Sequence, residues 1–222
     1  MKKIYRKEKL PDRTRNIYIF GIKVFSYKKK RKYKQLRIVG TNNHIHCPEE
    51  VQAGLSISVY GEHNSIDIRT KKYLIGSISI GTPDCPVSGC SVSVGEDTTA
   101  EEFRILLLDS NSSVEIGRDC MLSSGINIWA SDTHSIIDQN GKLLNLGHSV
   151  TIGDHVWLGL DSKILKNTKI ADNSIVGMGS IVTSEFHEPN CVLAGIPAKI
   201  VKRNINWDRK RPSQWQEKEI SH

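Results

Sequence analysis

An aliphatic residue returns at every sixth position between Leu146 and Val182: Leu146, Ile152, Leu158, Ile164, Ile170, Val176 and Val182. An amphipathic helix needs returns near 3.6 residues and a two-sided strand needs strict alternation, so a beat of six excludes both as continuous elements. Small or branched residues stand two before each ladder position (Val150, Val156, Ser162, Thr168, Ser174, Ser180), and small ones often follow it (Gly147, Gly153, Gly159, Ala171, Gly177). The pattern describes one short strand and then a corner, repeated, which is a parallel β-helix. With three faces to a coil, residues about eighteen apart stack on rungs ~4.8 Å apart. Glycine beside a corner suits a backbone that bends sharply or is approached closely, because it reaches positive φ at little cost.

Of the 222 residues, 38% are hydrophobic and only 6% aromatic, so the core must be built from Ile, Val and Leu. From Ile38 to Leu108 the beat is irregular, visible in Ile57, Ile66, Ile75, Ile80, Val92 and Val94, and is read as early, degenerate coils. Two prolines near residues 82–90 predict a loop leaving the ladder. The beat returns at Val114, Ile116, Leu122 and Ile128, and the next corner falls on His134. If the ladder resumes at Leu146, twelve residues, 134–145, replace the six of one face and form a second loop. The reading is all-β: a cap or arm over 1–40, a solenoid over 41–202, and a short helical tail over 203–222 carrying Trp207 and Trp215.

Residues 1–40 hold 15 Lys or Arg against Glu8 and Asp12, whereas the rest carries 16 against 22 acids. The basic segment alternates with Ile, Tyr, Phe and Val, as a strand or hairpin does, and could meet an anionic polymer or an acidic membrane surface. Its one tyrosine within Lys28–Lys34 matches no nucleic-acid module. Five cysteines without a Cys-x-x-Cys pair argue against a disulfide framework or zinc module, and no apolar run is long enough for a spanning helix or signal. A cytoplasmic protein is expected.

Two stretches, His-Ser-Val-Thr-Ile-Gly-Asp-His-Val-Trp-Leu-Gly at 148–159 and Ala-Gly-Ile-Pro-Ala-Lys at 194–199, resemble the acetyl-CoA-dependent O-acetyltransferases of sugars and capsular polysaccharides. These belong to the bacterial hexapeptide-repeat acyltransferases, whose coils are left-handed. The resemblance covers roughly residues 105–205. It implies acetyl-CoA as donor, no metal, a homotrimer with clefts between subunits, and a carbohydrate acceptor.

His134 occupies a corner where an aliphatic is expected, at the mouth of the loop, and imidazole can take a proton from a sugar hydroxyl attacking a thioester. The resemblance makes this histidine, in Asp-x-His-Ser, the general base. Asp132 could fix its tautomer through the other ring N–H. Trp157 lies 23 residues after His134; removing six surplus loop residues leaves 17, close to one coil, so the two should be neighbours on adjacent rungs. Similarity to related enzymes places Trp157 at the reacting centre and Asn127 near the acceptor hydroxyl or oxyanion.

Leu160 and Met178 are eighteen apart, each after a glycine (Gly159, Gly177), and should stack into a column along which an extended pantetheine arm could run. By resemblance Thr183 continues that track, and Lys199 and Lys202 meet the nucleotide phosphates. Lysine where relatives often carry arginine gives up bidentate binding. Two rival readings use the same solenoid: an N-acetyltransferase acting on a nucleotide-linked amino sugar, and a gamma-class carbonic anhydrase-like metal enzyme drawing on His134, His148 and His155.

Overall fold

The computed structural model describes residues 5–9, 14–19, 22–28, 33–145 and 149–214. The chain divides into two compact units, 1–32 and 33–222. In the first, strands Tyr5–Lys9, Thr14–Ile19 and Ile22–Lys28 form an antiparallel meander. A polar knot ties it: Asn16 Nδ2 and Tyr18 Oη both donate to Glu8 Oε2, at 3.0 and 2.7 Å, and Ser26 Oγ donates to Asn16 Oδ1 at 2.8 Å.

The second unit is the solenoid, and it begins earlier than the boundary expected at residue 40. Gln35–Val39 already pairs in parallel with the strand Leu55–Glu62, because Leu36 and Ile38 are in register with the core residues Ile57 and Val59.

Three faces recur. The first stacks His44–His46, Ser65–Ile68, Ser91–Val94, Ser113–Ile116, Ser149–Ile152 and Thr168–Ile170. The second includes Met121–Leu122, Trp157–Leu158, Ile175–Val176 and Val192–Gly195. The third runs from Gln35–Val39 through Ile126–Trp129 and Lys163–Leu165 to Ile181–Val182. Two longer strands, Leu74–Ile80 and Thr99–Leu107, bend across the second and third faces.

Inward positions carry the aliphatics. On the third face Ile57, Ile78, Ile105, Ile128, Ile164 and Val182 are each 0% exposed. Alternate residues on each strand face outward, as the two-residue side-chain period requires. In the regular part Val150 pairs with Thr168 and Trp157 with Ile175, eighteen residues apart, as the ladder predicts. The early coils are longer: Ile57 pairs with Ile78 and Ile66 with Val92. The residues two before the ladder turn inward too, with Ser162, Ser174 and Ser180 buried.

Corner geometry differs from the expectation about glycine. The left-handed positions are His155, Asp161, Asn167, Asn173 and Gly179, with φ between 53 and 69°, each three residues after a ladder aliphatic. Gly159 serves the other purpose, close approach: a Cβ there would lie 2.7 Å from Val176 O and 2.8 Å from Met178 N. The next rung, not a ligand, occupies that side.

The largest departure concerns the break after Ile128. Ile116 pairs with Ile152, Leu122 with Leu158 and Ile128 with Ile164, thirty-six residues each, twice the regular coil. The excursion therefore holds eighteen surplus residues, not six. Ser149–Ile152 takes the place that the residues up to His134 would have filled, and Leu146 lies outside the described residues.

The loop expected near 82–90 is shorter than its span: Thr82 and Cys85 close a tight turn through mutual main-chain bonds, and Val87–Ser88 already pairs with Gly61–Glu62. After Lys202 the described tail is irregular, with a single 3-10 turn at Pro212–Gln214 in place of the expected helix; Trp215 lies outside the described residues.

Ile128→Ala should cost about 2–5 kcal/mol, since the stacked rungs cannot collapse around the void. Gly159→Ala should cost about 1–3 kcal/mol by forcing the main chains of neighbouring rungs apart. Urea unfolding of both variants measures these losses.

Candidate active site

After Trp129 the chain leaves the coil. Ala130 and Ser131 are still buried, and Asp132, Thr133 and His134 are exposed. Thr133 takes φ +72°, and among the described non-glycine residues with positive φ it is the β-branched one, the others being Asn, Asp or His. That conformation is strained for a branched side chain. It is held in part by the Thr133 N–H, which donates to Ser131 Oγ at 2.9 Å.

The carboxylate of Asp132 does not go to the imidazole. Its Oδ2 accepts from Lys166 Nζ at 2.7 Å and from Asn145 Nδ2 at 2.9 Å. The hydrogen bond from Lys166 holds its carboxyl below the ordinary carboxylate value, with Asn145 adding to the effect. Among the described residues no hydrogen bond or ion pair reaches the His134 ring. The expected Asp132–His134 couple is therefore replaced by an Asp132–Lys166 pair between rungs.

His134 lines a cleft of about 300 Å³. Cys85 and Val87 from the early turn, Asp109 and Ser110 from the corner after Leu108, and Leu143 and Asn145 from the excursion line it as well. Asp109 is half-buried, and among the described residues its carboxylate has neither hydrogen bond nor ion pair. The lining contains no Lys or Arg. An exposed imidazole that shares a cleft with a free carboxylate and hydroxyls suits a polyhydroxylated ligand.

Trp157 stands elsewhere. Its register partners are Met121 and Ile175 on the second face, whereas His134 follows the end of the third. The expected adjacency fails because it rested on six surplus residues. The Trp157 Nε1–H donates to Ser123 Oγ at 3.3 Å, and the Trp207 ring stands beside the indole, tilted by 47° with centroids 6.1 Å apart. Trp207, 8% exposed, stacks on His155 at 4.1 Å and donates its Nε1–H to His155 O at 2.8 Å.

Instead of pointing to solvent, the His155 ring is enclosed, with Nδ1 2.8 Å from Asp119 Oδ2 and Nε2 3.1 Å from Trp207 O. His148 lies outside the described residues. Among the described residues no three His, Cys, Asp or Glu side chains converge as metal ligands.

Asn127 faces outward on the third face, its Nδ2 donating to Gly125 O at 3.0 Å. It lines a second cleft of about 320 Å³ with Ser77 and Arg104, separate from that of His134.

Leu160 and Met178 stack, the Gly179 N–H donating to Leu160 O at 2.8 Å, and their side chains are 41% and 71% exposed. Above them the hairpin of Val192–Gly195 and Ala198–Lys202 sets Lys199 opposite Ala194. Thr183, Lys199 and Lys202 are all exposed.

No family model matches the chain. It is 36% identical over 179 residues to a polysialic acid O-acetyltransferase of Neisseria meningitidis, a match covering 79% of this chain and 80% of that protein. To the galactoside O-acetyltransferase of Escherichia coli K12 it is 31% identical over 120 residues, 53% of this chain and 56% of that one. Two crystal structures share the fold. The polysialic acid O-acetyltransferase OatWY gives a TM-score of 0.54 at 32% identity, over 81% of this chain and 93% of that one. The polySia-specific acetyltransferase NeuO gives 0.67 at 28% identity, over 81% and 90%.

The chain belongs to the hexapeptide-repeat O-acetyltransferases. Its coil is the left-handed parallel β-helix of that family, and the protein is an enzyme. Reading the acetyltransferase's sequence alone misses Asp109, Asn145, Lys166 and the docking of Trp207 and Arg209 on His155 and Asp119. None lies in a motif: Asn145 belongs to the excursion, Asp109 and Lys166 stand on coils before and after it, and the tail docks from far along the chain, none of which a six-residue period encodes.

The carboxyl of Asp132 is lowered in the folded acetyltransferase, so its tie contributes above the unfolded value and is lost as pH falls through the folded one, below about pH 4. Asp132→Asn should therefore leave the midpoint of the kcat/KM profile between pH 5 and 8 where it is in the parent enzyme. A direct Asp132–imidazole couple would instead give a downward shift.

Proposed function

We propose that the enzyme transfers an acetyl group from acetyl-CoA to a hydroxyl of a bacterial surface or capsular polysaccharide, with His134 as general base. The observation that carries this is the exposed His134 ring, without hydrogen bond or ion pair among the described residues, in a cleft that the unpaired Asp109 also lines. The imidazole takes the hydroxyl proton as the sugar oxygen bonds to the thioester carbonyl carbon. The tetrahedral intermediate then expels coenzyme A, whose sulfur receives that proton. Asp109 and Ser110 can hold neighbouring hydroxyls.

Polysialic acid is the acceptor named for two of the similar proteins, and an anionic polymer also fits the surplus of cations in residues 1–40. Those cations can hold the polymer, or an acidic membrane surface nearby, by charge alone. No helix of the described residues is long and apolar enough to cross a membrane. All five cysteines are free thiols, in keeping with work in the cytoplasm beside the acetyl-CoA pool.

The coenzyme track takes Leu160 and Met178, each set by the glycine before it, Gly159 and Gly177, against the next rung, and continues to Thr183, Lys199 and Lys202. It stands at the corner where the third face begins, and His134 stands where that face ends. Within one chain the two stand at opposite ends of that face. Three copies about a threefold axis, third face inward, set the closing corner of each against the opening corner of the next. Trp157 and Asn127 then border the shared cleft from the faces on either side of that corner. The aliphatic tip of the excursion supports this arrangement: Ile136, Ile137 and Leu144 are 55, 62 and 58% exposed, surface that a neighbouring subunit covers.

Incubation with acetyl-CoA and a panel of neutral and sialylated oligosaccharides should release thiol and yield a product that mild base deacetylates, as an ester but not an amide allows. His134→Ala should cut turnover by ~10²–10⁴. Refolding His134→Ala with Met178→Arg, each inactive alone, should restore about a quarter of the sites if each cleft draws on two chains. No recovery means that one chain supplies both halves.

A further inference from the structure

We propose that Asn145 is the positioning residue for His134, acting with Lys166 on the next rung; this rests on the reading of His134 as base. The His134 ring makes no hydrogen bond or ion pair among the described residues, so its direction is set by the course of its own main chain. That course is fixed from one side chain. Asn145 Nδ2 donates to His134 O at 2.8 Å and to Asp132 Oδ2 at 2.9 Å, while Asn145 Oδ1 accepts from Ile136 N at 2.9 Å. One carboxamide thus reaches the residues two before and two after the base and the base itself.

Its own position is fixed in turn. Lys166, its side chain 16% exposed, donates to Asn145 O and pairs with Asp132 Oδ2 at 2.7 Å. Both ends of the excursion, Asp132 and Asn145, are therefore tied to a rung of the coil. Thr133, between Asp132 and His134, is held at φ +72° inside this knot. A strained backbone persists only where its surroundings over-determine it, and Asn145 supplies that constraint on the side away from Ser131.

The residue type is specified by the bonds. An amide has two N–H donors and an acceptor oxygen, and all are engaged here. Aspartate would lose both donors and place a carboxylate beside Asp132 and the His134 carbonyl. Alanine would free the base-bearing segment without leaving a buried void, since the site is exposed.

The test measures kcat and both KM values for Asn145→Ala, Lys166→Met and Lys166→Arg, together with Asn145→Ala in the His134→Ala background and the thermal midpoint of each. Misplacing a catalytic group by about 1 Å costs up to ~10²-fold. We expect Asn145→Ala and Lys166→Met to lose ~10–10² in kcat, with KM for acetyl-CoA within about twofold. Lys166→Arg should recover most of the rate, and the double variant should be no slower than His134→Ala alone. Asn145→Ala with parent-like kcat, or losses that multiply with those of His134→Ala, would overturn the proposal. Full activity in His134→Ala itself would instead remove the assignment of the base and leave Asn145 without a group to position.

Discussion

Main-chain hydrogen bonding between rungs is the constraint on which the molecule depends. In the interior rungs the strand N–H and C=O groups bond to the coils above and below, so each residue's place is dictated by its register partner and not by its neighbours in sequence. An isoleucine column on the third face, each member fully buried, locks that register from within. The same accounting explains the glycines: where two rungs come within contact at Gly159, a side chain would have to stand in the carbonyl of Val176.

The period of six was enough to name the architecture, because each turn of the coil repeats the same physical demand for one inward aliphatic. It was silent on phase across an interruption. Leu146 sits at a multiple of six from both His134 and Ile152, so the count stayed in step through the interruption, but Ser149–Ile152 stacks on Ser113–Ile116, two regular coils back. The error carried into the site, for the supposed closeness of His134 and Trp157 was a count along that phase. The Leu160–Met178 column was legible because no interruption lies between its members.

Side chains bonded across the coil were the least legible. Asp132 stands two residues before His134, yet its carboxylate reaches Lys166, thirty-four residues on. Trp157 was placed by resemblance at the reacting centre, and the Trp207 ring that stands beside it follows fifty residues later. Pairings of this kind depend on where separate coils meet in space. The imidazole of His134 keeps its exposure, and among the described residues the hydrogen bonds around it reach the main chain and not the ring.

Arg209 shows what such long ties mean for the history of the chain. Its guanidinium donates to the carbonyls of Asp119 and Cys120 and to Thr99 Oγ1, spanning 89 to 110 residues of sequence. Rungs, by contrast, join residues a coil or two apart and can zip upward as the polypeptide emerges during synthesis. The strap can fasten only after Arg209 has emerged, when the coils it ties, around Thr99 and Cys120, have long been outside. A nascent chain therefore passes through a stage with a wound coil and no strap across it.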